Sequence, residues 1–335
     1  MAKLEQIHQT FDKIATVPKL LFLAMMAVAL CSLGPLSIFA PVPLSIAFLL
    51  YGRVVTYSVG LFTLVTLWSL SAIQTGFPPY VAAAYLVVFI FAILISEIVK
   101  QNAHPVKGLF VTGLLVVTLV ASALMGFDYF SKSSLKAEIS KSVSTFVAQI
   151  KKQKEFSEGM SAEDERRIDD LISKPETIIN EIYSSLPQIV FVSTFFGLWI
   201  SLYVTLRNSV VWRYKNNYNF SLADLTHFKV PDYFVYPLIF GFVLILAHDQ
   251  GLPKGSDVVG TNIIYCLGVF YLFQGFGVYN DFLKFIKIGG FIKTLFIAFT
   301  LIFGFRFLAL LGLFDLWFDF RKYFINRKKD EGDII

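Results

Sequence analysis

Residues 128–186, DYFSKSSLKAEISKSVSTFVAQIKKQKEFSEGMSAEDERRIDDLISKPETIINEIYSSL, are the one long polar interruption in a chain that is otherwise apolar enough to live in lipid. The fold follows from that contrast. Of the 335 residues 56% are hydrophobic, only 16% are charged and 36 are phenylalanine, a composition outside the range of water-soluble domains. The solvent for most of the chain is a bilayer. A net charge of +5 would suit nucleic acid, but the basic residues stand in short clusters at the ends of apolar runs, as membrane anchors do.

The polar stretch has helical periodicity of its own. Leu135, Ile139, Val143, Phe146, Val147 and Ile150 recur at spacings of three and four, with lysines on the other faces, which predicts an amphipathic helix. After Glu158-Gly159 the chain restarts at Ser161, an N-cap followed by acids in the first turn. A second stripe runs through Ile168, Leu171, Ile172, Ile178, Ile179, Ile182 and Leu186, with Pro175 starting a fresh helical piece. Two such stripes can bury against each other, giving a polar helical hairpin standing over the membrane.

Outward from this insert, a helix needs about 20 residues to cross about 30 Å of hydrocarbon. Segments 20–34, 54–72, 80–99, 108–127, 188–206, 233–248, 258–278 and 291–313 are eight candidate spans. Residues 34–53, GPLSIFAPVPLSIAFLLYGR, carry Pro35, Pro41 and Pro43, which preclude one regular helix and predict a broken span or re-entrant element. Counting it gives nine. The expected fold is therefore an all-α, polytopic membrane bundle of eight or nine spans, arranged as membrane blocks 1–127 and 187–320, the insert 128–186 and a basic tail 321–335. With nine spans Lys19, Arg53, Lys100, Lys107, Arg207, Arg213 and Lys215 share one side, which the positive-inside rule makes the cytoplasm of a bacterial inner membrane. The insert is then outside, and the tail cations Arg321, Lys322, Arg327, Lys328 and Lys329 fall on the wrong side.

Ionisable and polar groups at membrane depth are the default functional suspects. Arg306 lies about 15 residues, roughly 22 Å, into the last apolar run, with Gly304 just before it and Asp315 after it. It either faces a polar cavity that takes an anionic ligand or is satisfied inside the bundle by helix carbonyls, Asn262 or Gln274. Glu97 beside Lys100 suggests an interfacial ion pair, and Gly268, Gly275 and Gly277 suggest a close-packed helix face. The four histidines and the two cysteines, Cys31 and Cys266, make no metal set, and there is no Walker A sequence. No cofactor and no enzymatic activity are expected. The aromatic and basic segment WRYKNNYNF at 212–220 has a rival nucleic-acid reading, but beside a span these residues are interface anchors, and no nucleic acid is expected.

Three places, PLSIFAPVPLSIAFLLYGR at 35–53, FKVPD at 228–232 and YLFQGFGVYNDF with LGLFDLWFDFRK at 271–322, are where the chain resembles the YybS-like family of predicted bacterial integral membrane proteins. That family is similar in its first six spans to the substrate-binding subunits of energy-coupling-factor vitamin transporters, which implies small-molecule binding or transport. Those subunits dock their coupling partner through an A-x-x-x-A pattern on the first helix; here LLFLAMMAVALC at 20–31 departs from it. Small-molecule binding or transport is the expected function, with a scaffold as the alternative. The first is a transporter or its binding subunit, with Pro35, Pro41, Pro43 and Arg306 lining a cavity. The other is a non-transporting scaffold that binds a membrane or envelope protein through the insert. A cavity reaching Arg306 supports the first, and a solid bundle the second.

Overall fold

A computed structural model describes residues 2–73, 78–130, 134–156, 175–248, 250–251 and 255–324. Among them every regular element is helical. In chain order these are α1 (Ala2–Ser32), a 3-10 turn (Gly34–Phe39), α2 (Pro41–Tyr51), α3 (Arg53–Ala72), α4 (Pro79–Lys100), α5 (Pro105–Phe130) and α6 (Leu135–Phe156). They continue with α7 (Pro175–Arg207), α8 (Ser209–Trp212), α9 (Leu222–Thr226), α10 (Val235–His248), α11 (Ser256–Phe285), α12 (Gly290–Phe303) and α13 (Phe305–Phe318).

The protein is an all-helical, multi-pass membrane protein, with fewer spans than the eight or nine the hydropathy suggests. Among the described residues six segments are long and apolar enough to cross, namely Gly34–Tyr51, Arg53–Ala72, Tyr80–Lys100, Pro105–Phe130, Pro175–Arg207 and Ser256–Phe285. The pair α12 and α13 makes a seventh only if its 97° bend is counted as one crossing. The apolar helices Thr16–Ser32 and Asp232–His248 are shorter. Continuous hydropathy overstates the count because the backbone breaks inside it, at Gly34, which takes φ +57°, and at Gly304, where α12 stops and α13 starts.

The chain divides into two compact units, one of Met1–Gly113, Thr194–Lys229 and Tyr271–Ile335, the other of Leu114–Ser193 and Val230–Phe270. In the first unit the three early prolines start helical turns and do not abolish helix. Pro35 opens the 3-10 turn and Pro41 and Pro43 sit in the first turn of α2, where helical N–H groups have no intrahelical partner and a proline loses nothing. Ser201 of α7 donates its hydroxyl to the Ile38 carbonyl at 3.1 Å, satisfying backbone that the 3-10 turn leaves unpaired. Gly52, at φ +86°, reverses the chain into α3 as a residue with a β-carbon would do only under strain.

The core of this unit packs α1, α2, α3 and α4 around Ala24, Ala27, Cys31, Leu44, Phe48 and Tyr85. Its other aromatic nucleus is Trp199, stacked on Phe273 at 4.8 Å and edge-on to Phe276. The segment after α8 seals the polar end of the helices. Asn216 and Lys215 donate to the carbonyls of Leu49 and Leu50, each at 2.9 Å, which caps the otherwise orphaned end of α2. Tyr218 donates to the Ala103 carbonyl at 3.0 Å. Burial pushes the Tyr218 phenol above its usual range. Trp212, expected as an interface anchor, is fully buried and donates to the Thr205 carbonyl at 2.9 Å.

The last two helices decide where the chain leaves the membrane. Only Ile286–Gly289 separate α11 from α12, and α12 doubles back along α11, where Thr300 donates to the Tyr279 hydroxyl at 3.0 Å. After the bend α13 crosses α11 so closely that a β-carbon on Gly275 would collide with the Leu308 carbonyl, and one on Gly312 with the Tyr271 carbonyl. The chain then returns: Arg321 donates to the Gln274 carbonyl at 3.0 Å, and the Phe324 ring stacks 5.4 Å from Phe285 at the end of α11. Way in and way out lie at the same end of α11, so the bent pair is re-entrant.

In the second unit α6 lies beside the first turns of α7, with Val143 and Ile179 buried and an open cleft lined by Ser134, Lys136, Ser140, Glu176 and Asn180. α7 starts at Pro175, as expected, and continues past residue 186 into the membrane. Ser161, Ile168, Leu171 and Ile172 lie outside the described residues, as do Arg327, Lys328 and Lys329 of the tail. α10 and α11 approach through Gly241 and Gly260, whereas Gly268 faces open space.

Candidate functional site

The polar residues singled out at membrane depth lie among the described residues. Arg53, the first residue of α3, grips the Glu97 carboxylate with two guanidinium nitrogens, Nε at 2.8 Å and Nη2 closer still. Its side chain is half exposed, so the pair ties α3 to α4 at the polar end of the bundle rather than lining a cavity. Lys100, the expected partner of Glu97, sits 5.7 Å from the centre of the Phe48 ring.

Asn262 repairs a broken helix. Pro187 lies inside α7, and its ring displaces the carbonyl four residues earlier and strains the hydrogen bonds around it. Asn262 accepts from the Gln188 N–H at 3.0 Å and donates to the Ser184 carbonyl at 3.0 Å. Those are the donor and acceptor that would have paired with each other in a regular helix. The carboxamide has inserted itself into the ladder, and the backbone stays satisfied at membrane depth.

Gln274 and Asp315 come together where α13 crosses α11. Gln274 Nε2 donates to Asp315 Oδ2 at 2.8 Å, and both side chains are buried, at 0% and 2% exposure. The other carboxylate oxygen accepts the Phe320 N–H at 2.9 Å, so Asp315 also caps its own helix, past Asp319 in the left-handed conformation. Arg321 closes the cluster by donating to the carbonyls of Gln274 and Phe228. Burial pulls its guanidinium below its usual value, and Asp315, Asp281 and Asp319 oppose that pull. Read as part of a basic tail, Arg321 gives no sign of this role in the sequence. Its one trace is Gly277, where a β-carbon would fall on the guanidinium.

Arg306 joins none of this. Leu308, Gly312 and Asp315 are the buried residues of α13, and at 100° per residue Arg306 points away from Leu308. It is exposed, and among the described residues its guanidinium meets the ring of its neighbour Phe305, 5.7 Å away. Of the two amides expected as its partners, Asn262 is engaged with Gln188 and Ser184 and Gln274 with Asp315.

Among the described residues these are polar joints closed by side chains and backbone, and Arg306 is turned outward from them. No curated protein and no solved structure matches the chain. Residues 20–316, which include every one of these joints except Arg321, match a family described as predicted membrane protein (DUF2232), and the chain belongs to that family.

Proposed function

We propose that this membrane protein is a non-enzymatic docking subunit, which holds another membrane protein through the outer face of α13. The observation that carries this is Arg306. Among the described residues the Arg306 guanidinium has the Phe305 ring beside it; a guanidinium on the lipid-facing side of a membrane helix costs about 3 kcal/mol, and a partner helix covering it removes that cost. The interior is consistent with the same reading, since Gln274, Asp315 and Asn262 are engaged with one another or with nearby backbone.

Small-molecule binding or transport, implied by the YybS-like and energy-coupling-factor resemblance, is the second reading. It draws support from two interrupted elements, the 3-10 turn before α2 and the re-entrant pair α12–α13, of the sort that recurs at transport sites. The first helix offers no help to it, because Ala24 and Ala27 are buried in the core and unavailable to a coupling subunit. Mass spectrometry of what co-purifies in mild detergent separates the readings. A stoichiometric protein companion, or a stoichiometric second copy, lost on Arg306→Ala is the expected result. Recovery of a small molecule with no protein and no second copy would give preference to transport.

A further inference from the structure

The outer face of α13 has a sequence symmetry that names its partner. Arg306, Leu310, Leu313 and Trp317 follow at spacings of four, three and four, so they form one stripe along the helix. The stripe lies opposite Leu308, Gly312 and Asp315, which are buried. Leu310 is 53% and Trp317 62% exposed, Arg306 is exposed and Leu313 half-buried. Read backwards the positions are the same, with leucines exchanging places and arginine exchanging with tryptophan.

We infer that α13 packs antiparallel against α13 of a second copy of this chain, with Leu310 against the other copy's Leu313 and each Arg306 over the other copy's Trp317. This rests on the docking reading and supplies its partner. Tryptophan is the best aromatic acceptor for a cation, and the attraction is strongest away from water. A twofold interface makes each contact twice. The membrane permits the geometry. Two copies inserted in the same sense are related by an axis along the bilayer normal, which pairs helices antiparallel only if they lie in the plane of the membrane. α12 doubles back along α11, and the 97° bend turns α13 across it.

The test is the oligomeric state of the full chain in mild detergent, by native mass spectrometry and by light scattering over a dilution series. A dimer is expected. Trp317→Arg sets guanidinium against guanidinium and should weaken it roughly tenfold or more. The swap Arg306→Trp with Trp317→Arg restores the exchanged pair and should restore the dimer, and equal thermal unfolding of the variants separates interface effects from misfolding. A dimer indifferent to Trp317→Arg, or one that the swap fails to rescue, overturns the inference. A monomeric chain bound to a different protein overturns self-pairing while leaving the docking reading standing. A monomer with no companion sinks both.

Discussion

Asn262 shows how a single side chain at membrane depth can be explained by the backbone it serves. Replacing it with leucine leaves the Gln188 N–H and the Ser184 carbonyl unpaired, at about 1–3 kcal/mol. Asn262→Leu should therefore lower the thermal midpoint in detergent, and Pro187→Ala in the same chain should recover most of the loss by letting α7 close its own ladder. If the proline change does not rescue, the carboxamide has some other task. Asp224 makes a pH prediction. Its carboxylate accepts from the Ser221 N–H at 2.7 Å and the Ser221 hydroxyl at 2.8 Å, and these bonds, the backbone one first, hold its pKa below the usual 3.8. A depressed folded value means that the capping box is fully stabilising above the unfolded pKa and fades as pH falls through the folded one. Below about pH 4 the wild-type protein should lose this contribution, and Asp224→Asn should reduce that loss while costing about 1 kcal/mol at neutral pH. Midpoints measured from pH 3 to 6 check the sign.

Among the elements, the re-entrant pair α12–α13 depends on two glycines. Gly275 and Gly312 let α13 cross α11 backbone to backbone, so Gly275→Val should cost at least the 1–3 kcal/mol or so of an overpacked core and release the chain beyond α13. The pair also makes a labelling prediction. Lys322→Cys should react from the same side as Lys215→Cys, and Ile73→Cys, at the far end of α3, from the other. Labelling of Lys322→Cys together with Ile73→Cys would mean that the bent pair crosses after all. This element was only partly legible in the sequence. Gly275 could be picked out as a point of close packing and Gly304 only as a neighbour of Arg306, because hydropathy measures affinity for lipid and not direction, and an apolar run that turns back scores like one that crosses. The early prolines were legible as a break, and the structure adds that two of them begin a regular helix.

For the whole molecule, re-entrance removes the conflict over charge. Arg53, Lys100, Arg213 and Lys215 gather at one end of the first unit, and Arg321 and Lys322 come back to that end instead of emerging opposite it. With α5 counted as a crossing, the positive-inside rule predicts that this end faces the cytoplasm and that the chain beyond α5 is outside. Ser134→Cys should label with an impermeant thiol reagent in whole cells while Lys215→Cys is protected, and the reverse pattern would invert the protein. The amino-acid sequence by itself determined the solvent, the helical class, the polar insert and the polar residues worth watching, because burial in lipid leaves a chain little choice but helix and makes every charge conspicuous. Only the tertiary structure decided which of those residues meet, that Asn262 closes the gap at Pro187, that Asp315 joins Gln274 and Arg321, and that Arg306 faces outward. Hydrogen bonds and close helix crossings between residues tens of positions apart depend on angles and depths that no local pattern encodes.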